Sequence, residues 1–321
     1  MSFHCLRLVA AAAMLGLAVP ALAQDYPARP IRLVIPFPPG GGNDVVGRIV
    51  AAELGERLGK QVIVDNRGGA AGVVGTEVAA AAPPDGYTLL VVASSHAVNP
   101  WQQKVRHDPI KSFTPIAMLA AGPLVLCAHP EVPAKTVKEL VALAKSKPGQ
   151  LFFANGGAGG FQHLSAASLA MATGIDVVHV PFKGGGPAMI DVIGGRAQFL
   201  IAPIPQVRPH VASGKLRALG IGSATRSAVL PDVPTIAEQG VPGYTAGNWW
   251  GIAGPAGVPQ PIVDRLHKEI SGVLFSPQTQ KRLEAEGAEP WRMSTAQFAA
   301  HIATELSRWG EVAMRLGHKP Q

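Results

Sequence analysis

Cysteine, charged residues and aromatic residues are all scarce in this chain of 321 residues. Only two cysteines are present, charged residues make up 15% of the chain, and aromatic residues make up 6%. A small disulfide scaffold is therefore excluded, since such scaffolds are dense in cysteine pairs. The apolar fraction of 47% is high enough to build a hydrophobic core, which excludes a disordered chain as the default.

Motifs for nucleotides, metals and nucleophilic catalysis are also missing. The chain contains no G-x-x-x-x-G-K-[ST] loop, no G-x-G-x-x-G fingerprint and no G-x-S-x-G elbow. The histidines lack the spacing of a metal site, and the longest basic run is the pair Lys281-Arg282, which is unlike a nucleic-acid-binding stripe. We therefore expect no cofactor, no metal ion, no nucleic-acid partner and no enzymatic activity. The alternative is a secreted hydrolase or isomerase that uses His163 or His96 as its base, but no orienting partner is visible at a suitable spacing.

The N-terminus has the layout of a secretory signal peptide. Arg7 precedes the apolar stretch Leu8–Val19, and Ala21-Leu22-Ala23 supplies a small-x-small cleavage site. We expect residues 1–23 to be removed and the mature protein to be periplasmic. One cysteine then remains, Cys127 in an apolar run, and we interpret it as a small buried hydrophobe.

Short β-branched runs alternate with helical segments along the rest of the chain. The predicted strands are Ile31–Phe37, Val62–Asp65, Leu89–Ala93, Ile116–Ala120, Leu124–Ala128, Leu151–Ala154, Val177–Val180, Phe199–Ala202, Leu216–Gly220 and Ala288–Trp291. The predicted helices are Asp44–Leu58, Val73–Ala82, Thr136–Lys145, Gln162–Ala172, Pro261–Leu274, Gln278–Glu286 and Ser294–Leu316. This alternation predicts an α/β fold with mainly parallel sheets covered by helices on both faces, divided into two lobes.

Glycine and proline are abundant, at 37 and 29 residues, and three glycine loops join a strand to a helix. These loops contain Gly40–Gly42, Gly156–Gly160 and Gly184–Gly186. The first N–H groups of a helix favour an anion, and glycine lets the backbone approach it closely. We therefore expect one cleft lined by backbone donors, although three ordinary turns would give the same pattern. Asn43 or Asp44 is expected to cap the first of the three helices.

Two further segments allow alternative interpretations. Ser94, Ser95 and His96 place two hydroxyls beside an imidazole, but neighbouring residues at a strand end face different ways and make a poor catalytic pair. They are either ligand contacts or turn residues. The pair Trp249-Trp250 either packs in the core or forms a wall of the cleft.

Several segments, taken together and in order, resemble the Bug/TctC family of periplasmic solute-binding proteins. The segments that carry the resemblance are 36–48 (PFPPGGGNDVVGR), 64–72 (VDNRGGAAG), 84–89 (PDGYTL), Asn99-Pro100, 180–184 (VPFKG), 214–219 (GKLRAL) and 230–238 (LPDVPTIAE). The resemblance covers essentially the whole mature chain.

The resemblance implies a two-lobed type II periplasmic binding-protein fold, or Venus flytrap, with a ligand cleft between the lobes. It assigns residues 25–124 and 246–321 to one lobe and residues 125–245 to the other. It also implies that backbone N–H groups and waters hold a small carboxylate, such as a dicarboxylate, a tricarboxylate, an acidic amino acid or an aromatic acid. The expected partners are the membrane subunits of a tripartite tricarboxylate transporter, with a sensor kinase as the alternative, and the expected state is a monomer.

The loops and the resemblance together give a set of candidate ligand-binding residues. They are Phe37, Gly41, Gly42, Asn43, Asp44, Ser94, Ser95, Asn99, Gly159, Gly160, Phe161, Gln162, His163, Lys183, Gly184 and Ala202.

The chain departs from the usual family pattern at several positions. Phe161-Gln162 stand where small hydroxyl residues are common, and Ala202 stands where a polar residue is frequent. Gly47 and Gly68 replace the usual alanine and proline. We therefore expect a more apolar wall in the second lobe and a ligand with an aromatic or apolar body beside its carboxylate.

Overall fold

A computed structural model describes residues 26–315 of the chain. The expected signal peptide, residues 1–23, lies outside this range. The strands are β1 (Ile31–Ile35), β2 (Val62–Asn66), β3 (Thr88–Ala93), β4 (Phe113–Ala128), β5 (Phe152–Asn155), β6 (Val178–Pro181), β7 (Phe199–Pro203), β8 (Arg217–Ile221), β9 (Gly247–Pro255) and β10 (Glu289–Pro290). The helices are α1 (Gly42–Leu58), α2 (Val73–Ala80), α3 (Ser94–Val98), α4 (Val137–Ser146), α5 (Phe161–Thr173), α6 (Gly185–Ile193), α7 (Ile204–Ala212), α8 (Gln260–Leu274), α9 (Pro277–Ala285) and α10 (Thr295–Arg315).

The strands follow the order β2-β1-β3-β9-β4-β7-β5-β6, with β8 and β10 also paired to β4. β1 pairs in parallel with β2 and β3, and β5 pairs in parallel with β6 and β7. All pairs made by β4 and β9 are antiparallel. The prediction of mainly parallel sheets was therefore wrong at the centre of the fold, where these antiparallel strands join two parallel halves.

β4 is a single strand of 16 residues, where the sequence analysis predicted two short ones. Its first part, Phe113–Pro123, pairs with β9, and its last part, Leu124–Ala128, pairs with β7 and β8. We call the half with β1, β2, β3, β9 and β10 the first lobe, and the half with β5–β8 the second lobe. Gly122-Pro123 interrupted the apolar pattern in the sequence, but the extended backbone continues through both residues.

Each lobe has a core on both faces of its sheet. In the first lobe, Leu33 and Ile35 pack with α1 and α8, whereas Val34 packs with Phe298 and Ile302 of α10. Such strands are buried on both faces, as the near-continuous apolar runs predicted. Cys127 is fully buried in the second lobe, which confirms its interpretation as a small hydrophobe.

Three elements were not predicted. α7 contains Pro205 and Pro209, which argue against a helix in the sequence, yet the first of them lies in the initial turn, where proline is tolerated. α3 occupies the segment Ser94–Val98, which had been assigned to a strand end and loop. β9 begins with Gly247-Asn248, which disguised it. Side-chain caps begin two of the predicted helices, since Thr136 Oγ1 accepts the Glu139 N–H and Ser294 Oγ accepts the Gln297 N–H.

The cores also bear on the predicted lobe boundaries. The core of the second lobe includes Ala97 and Val98 of α3 and Trp309 of α10, all from segments that the sequence analysis assigned to the first lobe. The boundaries at residues 124 and 246 therefore stay a prediction. No helix within residues 26–315 has the length and apolar composition needed to cross a membrane.

Candidate functional site

A cavity lies between the lobes, where the loops that follow the strands meet. Its volume is about 50 Å³, room for a few water-sized groups. The lining residues are Phe37, Pro38, Gly41, Gly42, Asn43, Ala71, Ala93, Ser95, Gly156, Gly160, Phe161, Gln162, Gly185, Pro203, Gln206 and Asn248. None of these lining residues is charged, so the polar groups facing the cavity are amides, a hydroxyl and the backbone.

The two lobes touch each other directly through the glycine loops. A Cβ atom added at Gly184 would lie 2.5 Å from Pro38 Cδ, and one at Gly157 would lie 2.9 Å from Ala71 Cβ. Both glycines also have positive φ angles, 155° and 145°, which side-chain-bearing residues rarely adopt. The lobes are therefore closed on each other, and a ligand larger than a few atoms enters only when they separate.

Three helices begin at this cavity, and all three have glycine N-caps. Gly41 caps α1, Gly160 caps α5 and Gly184 caps α6, and none of the three helices has a side-chain capping bond. A glycine has no side chain to accept the first N–H groups of the helix, so these donors remain available to an anion. The prediction that Asn43 or Asp44 caps α1 was wrong, since both residues lie inside its first turn.

Asn43 is fixed by a tryptophan rather than by its own helix. The Trp250 indole N–H donates to Asn43 Oδ1 over 2.8 Å. An indole only donates, so the bond directs the Asn43 amide nitrogen, a donor, away from Trp250. Both Trp249 and Trp250 are buried, and neither lines the cavity, so of the two interpretations of this pair, packing is correct.

Asp44 is buried behind the first glycine loop. Its Oδ2 accepts the Gly40 N–H over 3.0 Å, and its Oδ1 accepts bonds from Asn66 Nδ2 and Arg48 Nε, each over 2.9 Å. Asn66 also donates to the Phe37 carbonyl over 3.0 Å. Asp44 therefore supports the loop that carries Phe37 and Gly41, but it does not line the cavity.

The segment after β3 contributes one side chain to the cavity, Ser95. Ser94 is buried, and its Oγ accepts the Trp249 N–H over 3.2 Å. Asn99 is also buried and donates to the Ala71 carbonyl over 3.1 Å, which positions Ala71 against the second lobe. His96 lies away from the cavity, where its Nε2 contacts the Pro109 carbonyl at 2.7 Å.

The environment of His96 is unsuited to a catalytic base. Burial lowers its pKa from the ordinary value of 6.5 to about 4. The ring packs against His107 and Phe113, with centroid distances of 6.1 Å and 5.0 Å. Since a carbonyl only accepts, the neutral ring carries its proton on Nε2. Residues 26–315 also contain no group of three or more histidine, cysteine, aspartate or glutamate side chains that could hold a metal ion.

The candidate residues of the second lobe divide into two sets. Gly160, Phe161 and Gln162 line the cavity. The others lie behind or beside it: the Gly159 N–H donates to His163 Nδ1 over 2.9 Å, Lys183 is exposed, Gly184 packs on Pro38, and Ala202 is fully buried in the core. The structure thus brings together Phe37, Gly41, Gly42, Asn43, Ser95, Gly160, Phe161 and Gln162.

Several cavity residues were missed by the sequence analysis, and Gln206 is the most informative of them. It lies in α7, and its Nε2 donates to the Gly185 carbonyl over 2.7 Å. Nothing in the sequence marked this helix or Asn248 at the start of β9. Four other lining residues lie in the glycine loops or in the motif segments of the sequence analysis, and their membership of these segments was the available signal. They are Pro38, Ala71, Gly156 and Gly185.

Known proteins resemble this chain along nearly its whole length. The model of the tripartite tricarboxylate transporter receptor family matches residues 46–318. Protein BugT of Bordetella pertussis is 37% identical over 307 residues, which cover 95% of this chain and 94% of BugT. The structure of Rpa4515 from R. palustris with adipate is 34% identical, covers 92% of this chain and 100% of that chain, and has a TM-score of 0.89. The structure of MatC from Rhodopseudomonas palustris with bound malate is 33% identical, covers 90% and 100%, and has a TM-score of 0.86.

Proposed function

Since the chain belongs to the tripartite tricarboxylate transporter receptor family, whose members are periplasmic solute-binding proteins, we propose that it binds a small carboxylate in the cavity between its lobes. The observation that carries the proposal is the meeting of three glycine-capped helix N-termini at one uncharged cavity. Such N-termini bind carboxylates through N–H groups and the helix dipole, without a cationic side chain. Two similar structures carry adipate and malate, which supports the same ligand class.

A thermal-shift screen of the purified mature protein tests this proposal. Adipate, malate, succinate, citrate and benzoate form the panel, and the corresponding amides serve as neutral controls. We expect at least one carboxylate to raise the melting temperature, because a ligand that binds only the folded state stabilises it, whereas its amide has no effect. A panel in which no carboxylate stabilises the protein would contradict the proposal.

We further propose that the ligand has an aromatic or apolar body beside its carboxylate. Phe37 and Pro38 of the first lobe face Phe161 and Pro203 of the second across the cavity. Apolar walls stabilise an apolar body and offer nothing to a second or third charged group. In calorimetric titrations, benzoate should bind more tightly than succinate or citrate. Tighter binding of succinate or citrate than of benzoate would contradict this proposal.

The proposed role is uptake, with closure of the two lobes presenting the carboxylate to transporter membrane subunits. The protein would act as a monomer in the periplasm after removal of residues 1–23. Mass spectrometry of the exported protein should give Gln24 as its first residue. Deletion of the gene should abolish uptake of the radiolabelled carboxylate that binds in the screen. Normal uptake combined with a lost transcriptional response would favour the sensory alternative.

A further inference from the structure

The last helix of the chain, α10, packs against the cores of both lobes. Phe298 and Ile302, in its first half, belong to the core of the first lobe with Trp249. Trp309, in its second half, belongs to the core of the second lobe with Phe161. A helix of 21 residues is about 31 Å long, which is enough to reach across a small domain.

Glu305 lies at the point where α10 passes from one core to the other. Its Oε2 accepts the indole N–H groups of Trp249 and Trp309, each over 3.2 Å. Its Oε1 accepts a bond from Arg308 Nη1 over 3.1 Å. The carboxylate is buried, and charge-assisted hydrogen bonds of this kind are stronger than neutral ones. Glu305 therefore fixes the orientation of the Trp309 indole relative to the first lobe.

Trp309 in turn contacts a residue that lines the cavity. Its ring meets Phe161 edge to face, with centroids 5.1 Å apart and an interplanar angle of 87°. Phe161 is the first residue of α5, so its ring and its backbone N–H lie at the same helix N-terminus. The position of Trp309 thus constrains both the apolar wall and one group of anion donors.

We propose that Trp309, oriented by Glu305, is a positioning residue for Phe161 and thereby sets ligand affinity from outside the cavity. The proposal rests on the proposed function, since it concerns binding at the same site. An edge-to-face aromatic pair contributes free energy beyond that of its buried area. Where the pair stabilises only the ligand-bound geometry, this free energy corresponds to a change in affinity of about threefold to tenfold.

The test compares variants of the full mature protein by calorimetric titration with adipate and benzoate. Trp309→Ala removes the contact with Phe161, and Trp309→Phe retains an aromatic ring at that position. Ile302→Ala is the matched control, because it removes a buried side chain from the same helix on the first-lobe side. All measurements are made at a temperature where thermal scans show every variant to be folded.

We expect Trp309→Ala to weaken binding of the tighter probe by about threefold to tenfold and to speed its dissociation. Trp309→Phe should recover most of this loss, and Ile302→Ala should bind like wild type. A double-mutant cycle adds a readout that a purely structural role would not move: in a Phe161→Ala background, the Trp309→Ala change should have little further effect on affinity.

Wild-type affinity in Trp309→Ala, or losses that simply add in the double variant, would overturn the inference alone. A wild-type protein that binds no carboxylate of the screening panel would overturn the proposed function, and the inference with it. The two failures are therefore distinguishable from the wild-type titration.

Discussion

Trp250 and Asn43 are joined by a hydrogen bond of 2.8 Å from the indole N–H to the side-chain oxygen of the asparagine. Trp250 is fully buried in β9, whereas Asn43 lies in the first turn of α1 and faces the cavity. The bond couples β9 to the N-terminus of α1 at the cavity. It also decides which end of the Asn43 amide a ligand meets.

Asn43→Asp should weaken carboxylate binding by roughly tenfold to a hundredfold. The aspartate side chain still accepts the bond from Trp250, but it places a negative charge beside the carboxylate of the ligand. Like charges a few ångströms apart repel by about 2 to 3 kcal/mol in a partly solvated site. Calorimetric titration measures the effect. Asn43→Ala, which removes the amide without adding a charge, should lose less, and equal losses in the two variants would contradict this placement of Asn43.

Asp44→Ala should reduce both stability and affinity. The variant leaves Gly40, Asn66 and Arg48 without their buried acceptor, which costs about 1 to 3 kcal/mol of unfolding free energy. Affinity should fall because the loop with Phe37 and Gly41 loses its support. Urea unfolding and titration measure the two effects.

Asp65→Ala is the control for Asp44→Ala. Asp65 lies in β2 and pairs with Arg32 of the neighbouring strand β1 and with Arg67 just after β2, away from the cavity, so its loss should reduce stability without changing affinity. Unchanged affinity in Asp44→Ala would show that the loop does not depend on this carboxylate.

Gly184→Ala should hinder closure of the lobes. The added Cβ would overlap Pro38 Cδ, and overpacking of this kind costs about 1 to 3 kcal/mol, which corresponds to a loss in affinity of about fivefold to 150-fold. Small-angle X-ray scattering at saturating ligand should give a larger radius of gyration than for wild type. Gly174→Ala is the control for an alanine at a glycine of positive φ: its φ is 63°, but no atom lies within 4 Å of the added Cβ. Equal affinities of the two variants would argue against steric control of closure.

Stability should fall as the pH drops from about 6.5 towards 4, in part because of His96. Its pKa is about 4 in the folded protein and near 6.5 when unfolded, so in this window the unfolded chain binds a proton that the folded chain excludes. At about 1.4 kcal/mol per pH unit, the loss amounts to roughly 3 kcal/mol. Denaturant titrations of wild type and His96→Gln, at pH 7 and pH 4.5, measure it.

The His96→Gln variant should lose less stability than wild type over this pH window. His129→Gln, which changes a histidine outside the contacts among His96, His107 and Phe113, should behave like wild type. His107 will contribute some residual dependence, because burial lowers its pKa as well. An identical pH dependence in wild type and His96→Gln would exclude His96 as a source.

The sequence was sufficient to predict most of the regular elements and the three loops, but not α3, α7 and β9 or the way in which the elements meet. The strand Ile31–Ile35 and the helix Gly42–Leu58 can be predicted from the spacing of their apolar residues alone. The glycines between them indicate a loop whose backbone can come close to another group. The prediction failed where neighbours in space decide the outcome. Gly122-Pro123 looks like an interruption until β9 pairs with it, and Gln206 lies in a helix that two prolines disguise.

The same limit explains the candidate site residues. The positions of Asn43 and Phe161 in the glycine loops correctly predicted that both line the cavity. The sequence could not distinguish Ser95, which lines the cavity, from Ser94, which accepts a hydrogen bond from Trp249. The roles of neighbouring residues depend on the direction in which each side chain points. The sequence analysis predicted a strand end for Ser94 and Ser95, but both residues lie in the helix α3, where the side chains point in other directions.

The position of β9 in the sheet has a consequence for how the chain is made. β9 lies between β3 and β4, although most of the second lobe separates it from both along the chain. The first lobe therefore cannot complete its sheet until residues 247–255 are available, and long-range pairings of this kind form slowly. A nascent chain that ends before residue 247 therefore has the strands of the second lobe but lacks the strand that joins β3 to β4, so the lobe that begins the chain is the later one to complete its sheet.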